Sequence, residues 1–243
     1  MGDATASARA EAAALEAERA GDDLAAADLW MRAAESATDD VRRASCLVRV
    51  VQARRADVGP ALAEGYAKLV ALELRRGRVE AAGELLREQA DLFELSGQAG
   101  TALEALAQLR ALKDDAGDVD AAAALEVERA TLLRDATFDL AAAEEALLHA
   151  FELKRSAEVA RTGAELSRRR EDVQAEADWL DRELLVVEAP AQRARTLVRL
   201  AHLFLDHLAA PKQAAAAAAE ALRLDASLED ARQLLATAEG RQA

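Results

Sequence analysis

The chain has 243 residues and carries 31 Lys and Arg against 45 Asp and Glu, a formal net charge of −14. That charge argues against general nucleic-acid binding, which rests on neutralising phosphates, and against docking on an anionic membrane surface. Ala, Leu, Glu and Arg dominate, while Ile and Asn are absent and Val and Thr sparse. Strong helix formers abound and sheet-forming residues are scarce, so the expected fold is all-α.

Helix boundaries follow from the punctuation. The first hairpin runs from about Thr5 to Ala20, breaks at Gly21-Asp22-Asp23 and continues to about Ala37. Asp39 and Asp40 cap a third helix ending near Arg54-Arg55, where cations suit the negative end of the dipole. Gly59-Pro60 turns the chain, with Pro60 at a first helical position, and the fourth helix stops at Gly77. A third pair spans Arg78 to Ser96 and Ala99 to Lys113, and a fourth starts after Gly117 and turns around Asp135 to Asp139. The fifth pair covers Ser156 to Arg170 and Asp172 to Glu188. Pro190 opens a sixth, Pro211 begins its second helix, and a last helix reaches about Glu239. The approximate repeats are 1–38, 39–77, 78–116, 117–155, 156–189 and 190–226, with a capping helix over 227–243, in a single domain.

A landmark recurs about every 38 residues: a small residue early in the second helix, an apolar one four on and another three beyond. It appears as Ala26, Trp30, Ala33; as Ala102, Leu106, Leu109; as Ala143, Leu147, Ala150; and as Ala214, Ala218, Ala221. First helices show a related register in Leu86, Ala90, Phe93, in Val159, Gly163, Leu166 and in Leu197, Leu200, Ala201, Phe204. The small residue lets two helix axes approach, and the larger ones fill the space between hairpins. A hairpin that cannot bury its apolar face alone stacks on its neighbours, so the pattern predicts a solenoid.

These residues resemble the tetratricopeptide repeat (TPR), most closely at Gly21-Asp22-Asp23-Leu24-Ala25-Ala26 through Trp30 and Ala33, and at Ala214 to Asp225. The match is degenerate. The period departs from the family's 34 residues, and the proline that usually closes each repeat is absent. The resemblance implies a right-handed α-solenoid whose concave surface, lined by first helices, binds a peptide or protein. In the sixth pair it would turn Arg195, Val198, His202 and Leu205 toward that surface, with Arg199 near its edge. In the fifth pair the same positions are Ala157, Ala160, Ala164 and Ser167, a wall of small residues. Arg195 and Arg199 would offer bidentate pairing to carboxylates. The Lys and Asn clamp of chaperone-tail-binding members is excluded, since the chain has no Asn.

No motif carries catalysis. His202 and His207 lie about 140° apart around a helix, so they do not converge on a metal. His149 has no Cys or His near it in sequence. Asp114 to Asp120 lacks the spacing of a calcium loop and reads as a helix end followed by an N-cap. Arg168-Arg169-Arg170 reads as a solvated helix C-terminus. Trp30 and Trp179 hold equivalent positions and read as wedges between hairpins. Cys46, the one cysteine, lies among Ala44, Leu47, Val50 and Val51 and reads as a buried hydrophobe, which excludes an internal disulfide.

The N-terminus lacks a basic region followed by an apolar core, and no stretch reaches 18 uncharged apolar residues, so the expected location is cytoplasmic. The bias toward Ala, Arg and Gly over Ile, Asn and Lys suggests a high-GC bacterial source. The expectation is a scaffold without catalysis, cofactor or metal that binds a protein partner on its concave face. A second expectation is a regulatory or sensor segment of a larger signalling or transcription-regulating protein. The first helix offers an apolar stripe of Ala with only Leu15, which suggests end-to-end stacking or further repeats on that side.

Overall fold

A computed structural model describes residues 2–241 of the chain. Among them there are thirteen α-helices and no strand. They form six hairpins and a closing helix. The hairpins are α1 (Gly2–Ala20) with α2 (Asp23–Glu35), α3 (Asp40–Arg54) with α4 (Pro60–Arg75), and α5 (Val79–Leu95) with α6 (Ala99–Asp115). There follow α7 (Val119–Leu132) with α8 (Leu140–Leu153), α9 (Ala157–Arg169) with α10 (Val173–Val186), and α11 (Pro190–His202) with α12 (Pro211–Leu224). The closing helix is α13 (Glu229–Gly240). The chain forms two compact units, one ending at Gly117 and the other beginning at Asp118. Within each, consecutive helices pack on one another.

Local chemistry sets these boundaries. Asp22, Asp39, Asp118, Asp139 and Asp172 each accept a hydrogen bond from a backbone N–H in the first turn of the helix they cap, and Ser156 does the same for α9. Each such cap satisfies a donor that has no intrahelical partner, worth about 1 kcal/mol. Pro60, Pro190 and Pro211 open α4, α11 and α12, where a missing N–H is harmless. Gly21 and Gly97 take the left-handed turn conformation between hairpin helices (φ 75° and 76°).

The second hairpin turns through extended Gly59, and the other three turn through Phe138, Glu171 and Ala209 at positive φ. In two of them the first helix ends in a π-helical turn, Leu133–Thr137 after α7 and Leu203–His207 after α11. The wider turn rotates every later side chain relative to an α-helical register.

The landmark residues form the core. Ala26, Ala33, Ala102, Leu106, Ala143, Leu147, Ala150, Ala214, Ala218 and Ala221 are all buried, and Trp30 and Leu109 nearly so. In the first unit a cross-hairpin bond helps set register: the Gln98 side chain, in the α5–α6 turn, donates to the Val58 carbonyl in the α3–α4 turn at 2.7 Å.

In the second unit the tightest approach is at Gly163 on α9. A Cβ there would lie 2.3 Å from the Trp179 ring of α10. The indole N–H donates to Glu144 Oε1 on α8 at 3.0 Å, and Phe151 of α8 meets the ring edge-on at 6.2 Å. Trp179 is thus a wedge between the fourth and fifth hairpins. Trp30 is anchored within its own hairpin instead, its N–H donating to Glu18 on α1 at 2.8 Å.

The contact at Gly163 generates a clear expectation. Gly163→Ala gains helix propensity yet must push the Trp179 ring aside, so overpacking wins and costs about 1–3 kcal/mol. Thermal unfolding followed by tryptophan emission should show a lower Tm and an altered native spectrum. An unchanged Tm would refute this close-packing account.

Candidate functional site

The first helices of the fifth and sixth hairpins present a groove of arginines. Arg161 and Arg199 occupy the same register on α9 and α11, and both line two adjoining clefts of about 380 and 280 Å³. Arg134, Thr162, Glu165 and Arg169 complete the larger, and Glu183, Gln192, Arg195 and Thr196 complete the smaller.

Helix α10 positions these cations with two buried carboxylates two turns apart on one face. Glu183 is 4% exposed; it accepts from Arg161 Nε at 2.6 Å and from the Thr196 hydroxyl at 3.1 Å. Glu176 is 6% exposed and accepts from Arg199 at 3.0 Å. Arg134 grips Asp135 through two bonds of 2.7 and 2.6 Å. The Arg168 guanidinium beside Glu165 holds that carboxyl below the usual range, and Arg169 approaches it at 3.5 Å. Arg195 is exposed and has no ion-pair partner among the described residues. It is the cation left free to meet an external anion.

The residues anticipated from sequence separate into two groups. Arg195, Arg199 and His202 are exposed, with His202 Nδ1 3.3 Å from Asp206, and Val198 is partly buried. Leu205 does not face solvent: it is 4% exposed and packs in the core formed with α12 and α13. Its register equivalent on α9, Ser167, is fully buried in a regular α-helix, so this position faces the packed side in both hairpins. The wall of small residues expected on α9 is also internal. Ala160 and Ala164 lie in the core, and the buried Ser167 hydroxyl donates to Glu144 at 2.8 Å. The exposed face of α9 carries Arg161 and Arg168 instead. Arg161 was legible in sequence as the residue in register with Arg199.

The remaining candidates resolve into structure. Arg170, in the basic run, pairs with Glu144 beneath the surface. Among the described residues no group of three or more His, Cys, Asp or Glu is placed to hold a metal ion. No helix among them is long and apolar enough to cross a membrane. Cys46 is 2% exposed, and burial together with Glu11 at 3.7 Å pushes its thiol up to about 11.

No protein family's sequence profile matches the chain, and no curated protein does either. Among solved structures it is similar to BtubC (BKLC) from P. vanneervenii, at 17% identity and a TM-score of 0.39 over 99% of this chain and 93% of that one. It is similar to pilF of Pseudomonas aeruginosa, at 15% identity and a TM-score of 0.37 over 98% and 100% of the two chains. A third likeness is the C-terminal part of a TPR repeat-containing protein from Cytophaga hutchinsonii, at 13% identity and a TM-score of 0.37 over 91% and 98%. At these values the likenesses carry no argument about activity or partner. The chain's own helices define its class, an all-α helical-hairpin repeat protein.

Two outcomes check this site. Arg161→Ala strips the buried Glu183 of a charged donor and should cost about 1–3 kcal/mol, whereas Arg195→Ala should change stability by less than about 0.5 kcal/mol. Equal effects in chemical denaturation would contradict the division between positioned and free arginines. For Cys46, about one thiol in a thousand is ionised near pH 8. An aromatic disulfide reagent should therefore modify the native chain at least ~100-fold more slowly than the unfolded chain. Comparable rates would show the thiol to be accessible.

Proposed function

We propose that the chain is a non-catalytic interaction scaffold, and that the arginine groove of its second unit receives an acidic segment of a protein partner. The observation that carries this is electrostatic. Residues 118–243 hold 16 Lys and Arg against 24 Asp and Glu, a net charge of −8, yet Arg134, Arg161, Arg169, Arg195 and Arg199 converge on two adjoining clefts. Cations gathered against the sign of the surrounding unit are placed to meet an anion.

Carboxylates suit the site because guanidinium groups pair with them in a planar, two-pronged geometry. The buried Glu176 and Glu183 fix Arg199 and Arg161, so little side-chain entropy is lost when a ligand arrives. Arg195 adds an unneutralised charge, and the partly buried Val198 on the same helix adds an apolar contact. His202, four residues beyond Val198, lies at the margin of this surface. An acidic peptide lying along the clefts would pair with Arg195 and meet Arg161 and Arg199 only through the N–H donors their buried glutamates leave unused.

The test uses a fluorescently labelled peptide rich in Glu and Asp, with polarisation as the readout. Binding should weaken steeply as salt rises from about 50 to 300 mM, and Arg195→Glu should reduce affinity roughly tenfold with Tm unchanged. Binding indifferent to both salt and Arg195 would sink this reading. Capture from lysate with the wild type beside Arg195→Glu would then identify the natural partner.

A further inference from the structure

A further cavity lies in the first unit, between the second helices of the first two hairpins. Met31, Ala34 and Glu35 of α2 form one wall, Lys68, Ala71 and Arg75 of α4 the other, and Leu47 of α3 lies at the base beside Arg43. It encloses about 370 Å³, within the range of sites for small organic ligands.

The repeat register explains why the space is empty. Aligning Ala26, Trp30 and Ala33 with Ala143, Leu147 and Ala150 sets Ala34 opposite Phe151. In the fourth hairpin the Phe151 ring is 6% exposed and fills the gap against the next hairpin, where it meets Trp179. In the first hairpin a methyl group stands in its place. The same register position holds Arg110, Phe151 and Leu222 in the third, fourth and sixth hairpins, each far larger than Ala34, so the cavity is space that a longer side chain would take.

Its rim is cationic but largely spent. Lys68 Nζ lies 2.9 Å from Glu64, 3.3 Å from Glu35 and 3.4 Å from the Met31 sulfur. Arg43 is held by Asp40 at 2.5 Å and by the Ala37 carbonyl at 2.7 Å. Arg75 is exposed, one turn beyond Ala71 on the same face of α4, and has no ion-pair partner among the described residues. An apolar floor with one uncommitted guanidinium at its edge matches a ligand with one apolar body and one negative charge.

We propose that this cavity binds a small organic monoanion, an aryl- or alkyl-carboxylate, with its apolar body between Ala34, Leu47 and Ala71 and its carboxylate on Arg75. The body takes the space that Phe151 takes in the fourth hairpin. The single charge follows from the single free cation, since Lys68 and Arg43 are neutralised within the chain. This site is independent of the arginine groove, and neither reading needs the other.

The test is calorimetric titration of the full chain with 3-phenylpropionate. A Kd of roughly 0.1–1 mM is expected for a ligand of this size. 3-Phenylpropanol, which lacks the charge, should bind about tenfold more weakly, and Arg75→Gln should reduce the acid to the level of the alcohol. Ala34→Phe should abolish binding while circular dichroism and Tm stay at or above the wild-type values. Should that variant fail to fold, Ala71→Leu blocks the cavity from the opposite wall at an exposed position. Absence of binding by the wild type up to about 10 mM acid would overturn the proposal. So would unchanged affinity in the blocked variant, or equal affinity for acid and alcohol. Binding by a peptide ending in phenylalanine, without binding of the free acid, would overturn it too and assign the cavity to a polypeptide anchor.

Discussion

The second, third and fifth hairpins close where a glycine on one helix meets a larger side chain on the other. Gly163 under Trp179 is the limiting case, with no room for even a methyl group. Gly65 is a milder one, where an added Cβ would come within 3.3 Å of Val50. Ala26, Ala102, Ala143 and Ala214 repeat the device early in second helices, and all are fully buried. An alanine-rich chain gains little hydrophobic energy per residue, because each methyl removes little area from water. It compensates through short interaxial distances, so that the few large side chains touch many partners.

That economy explains why so many carboxylates lie in the interior. Close-set helices with small side chains leave narrow gaps that an arginine stem can cross but a branched hydrophobe cannot fill. Glu144 accepts from Ser167 of α9, from Arg170 at the end of that helix and from Trp179 of α10. Glu183 likewise ties α9 to α11 through Arg161 and Thr196. Net gain from such pairs is modest, because desolvation offsets attraction. Their geometric effect is larger: they fix the rotation of each first helix, and so decide which residues line the groove.

Much of the fold was legible because its signals are local. Aspartate caps, glycine turns and prolines at first positions mark helix ends without reference to tertiary structure, and the landmark spacing named the core residues of the second helices. The rotation of the first helices was not legible to the same degree. Ala160, Ala164 and Ser167 were expected on an open wall, yet small residues serve equally at a surface or at a tight crossing, and only the Trp179 wedge decides between them. Leu205 was misplaced with them: it stands in register with Ser167, and that position is buried on both α9 and α11. The buried carboxylates escaped notice because sequence reading treats Glu on a helix as solvated, although Glu144, Glu176 and Glu183 each lie within reach of a donor from a neighbouring helix.

Repetition turns these details into a functional argument. When one architectural position recurs, its occupants can be compared within a single chain, and a departure stands out against its own equivalents. Arg161 and Arg199 share a register and share a role, each resting on a buried glutamate of α10 and together lining the same pair of clefts. Ala34 and Phe151 share a register and differ, one leaving a cavity and the other filling its gap. A cavity lined by Leu47 and Met31 forfeits dispersion contacts that a larger side chain at position 34 would restore. Filling it needs only one substitution, of a kind the chain already carries in its fourth hairpin. The first hairpin therefore forgoes a contact that the fourth makes, and Arg75 stands uncommitted beside the gap.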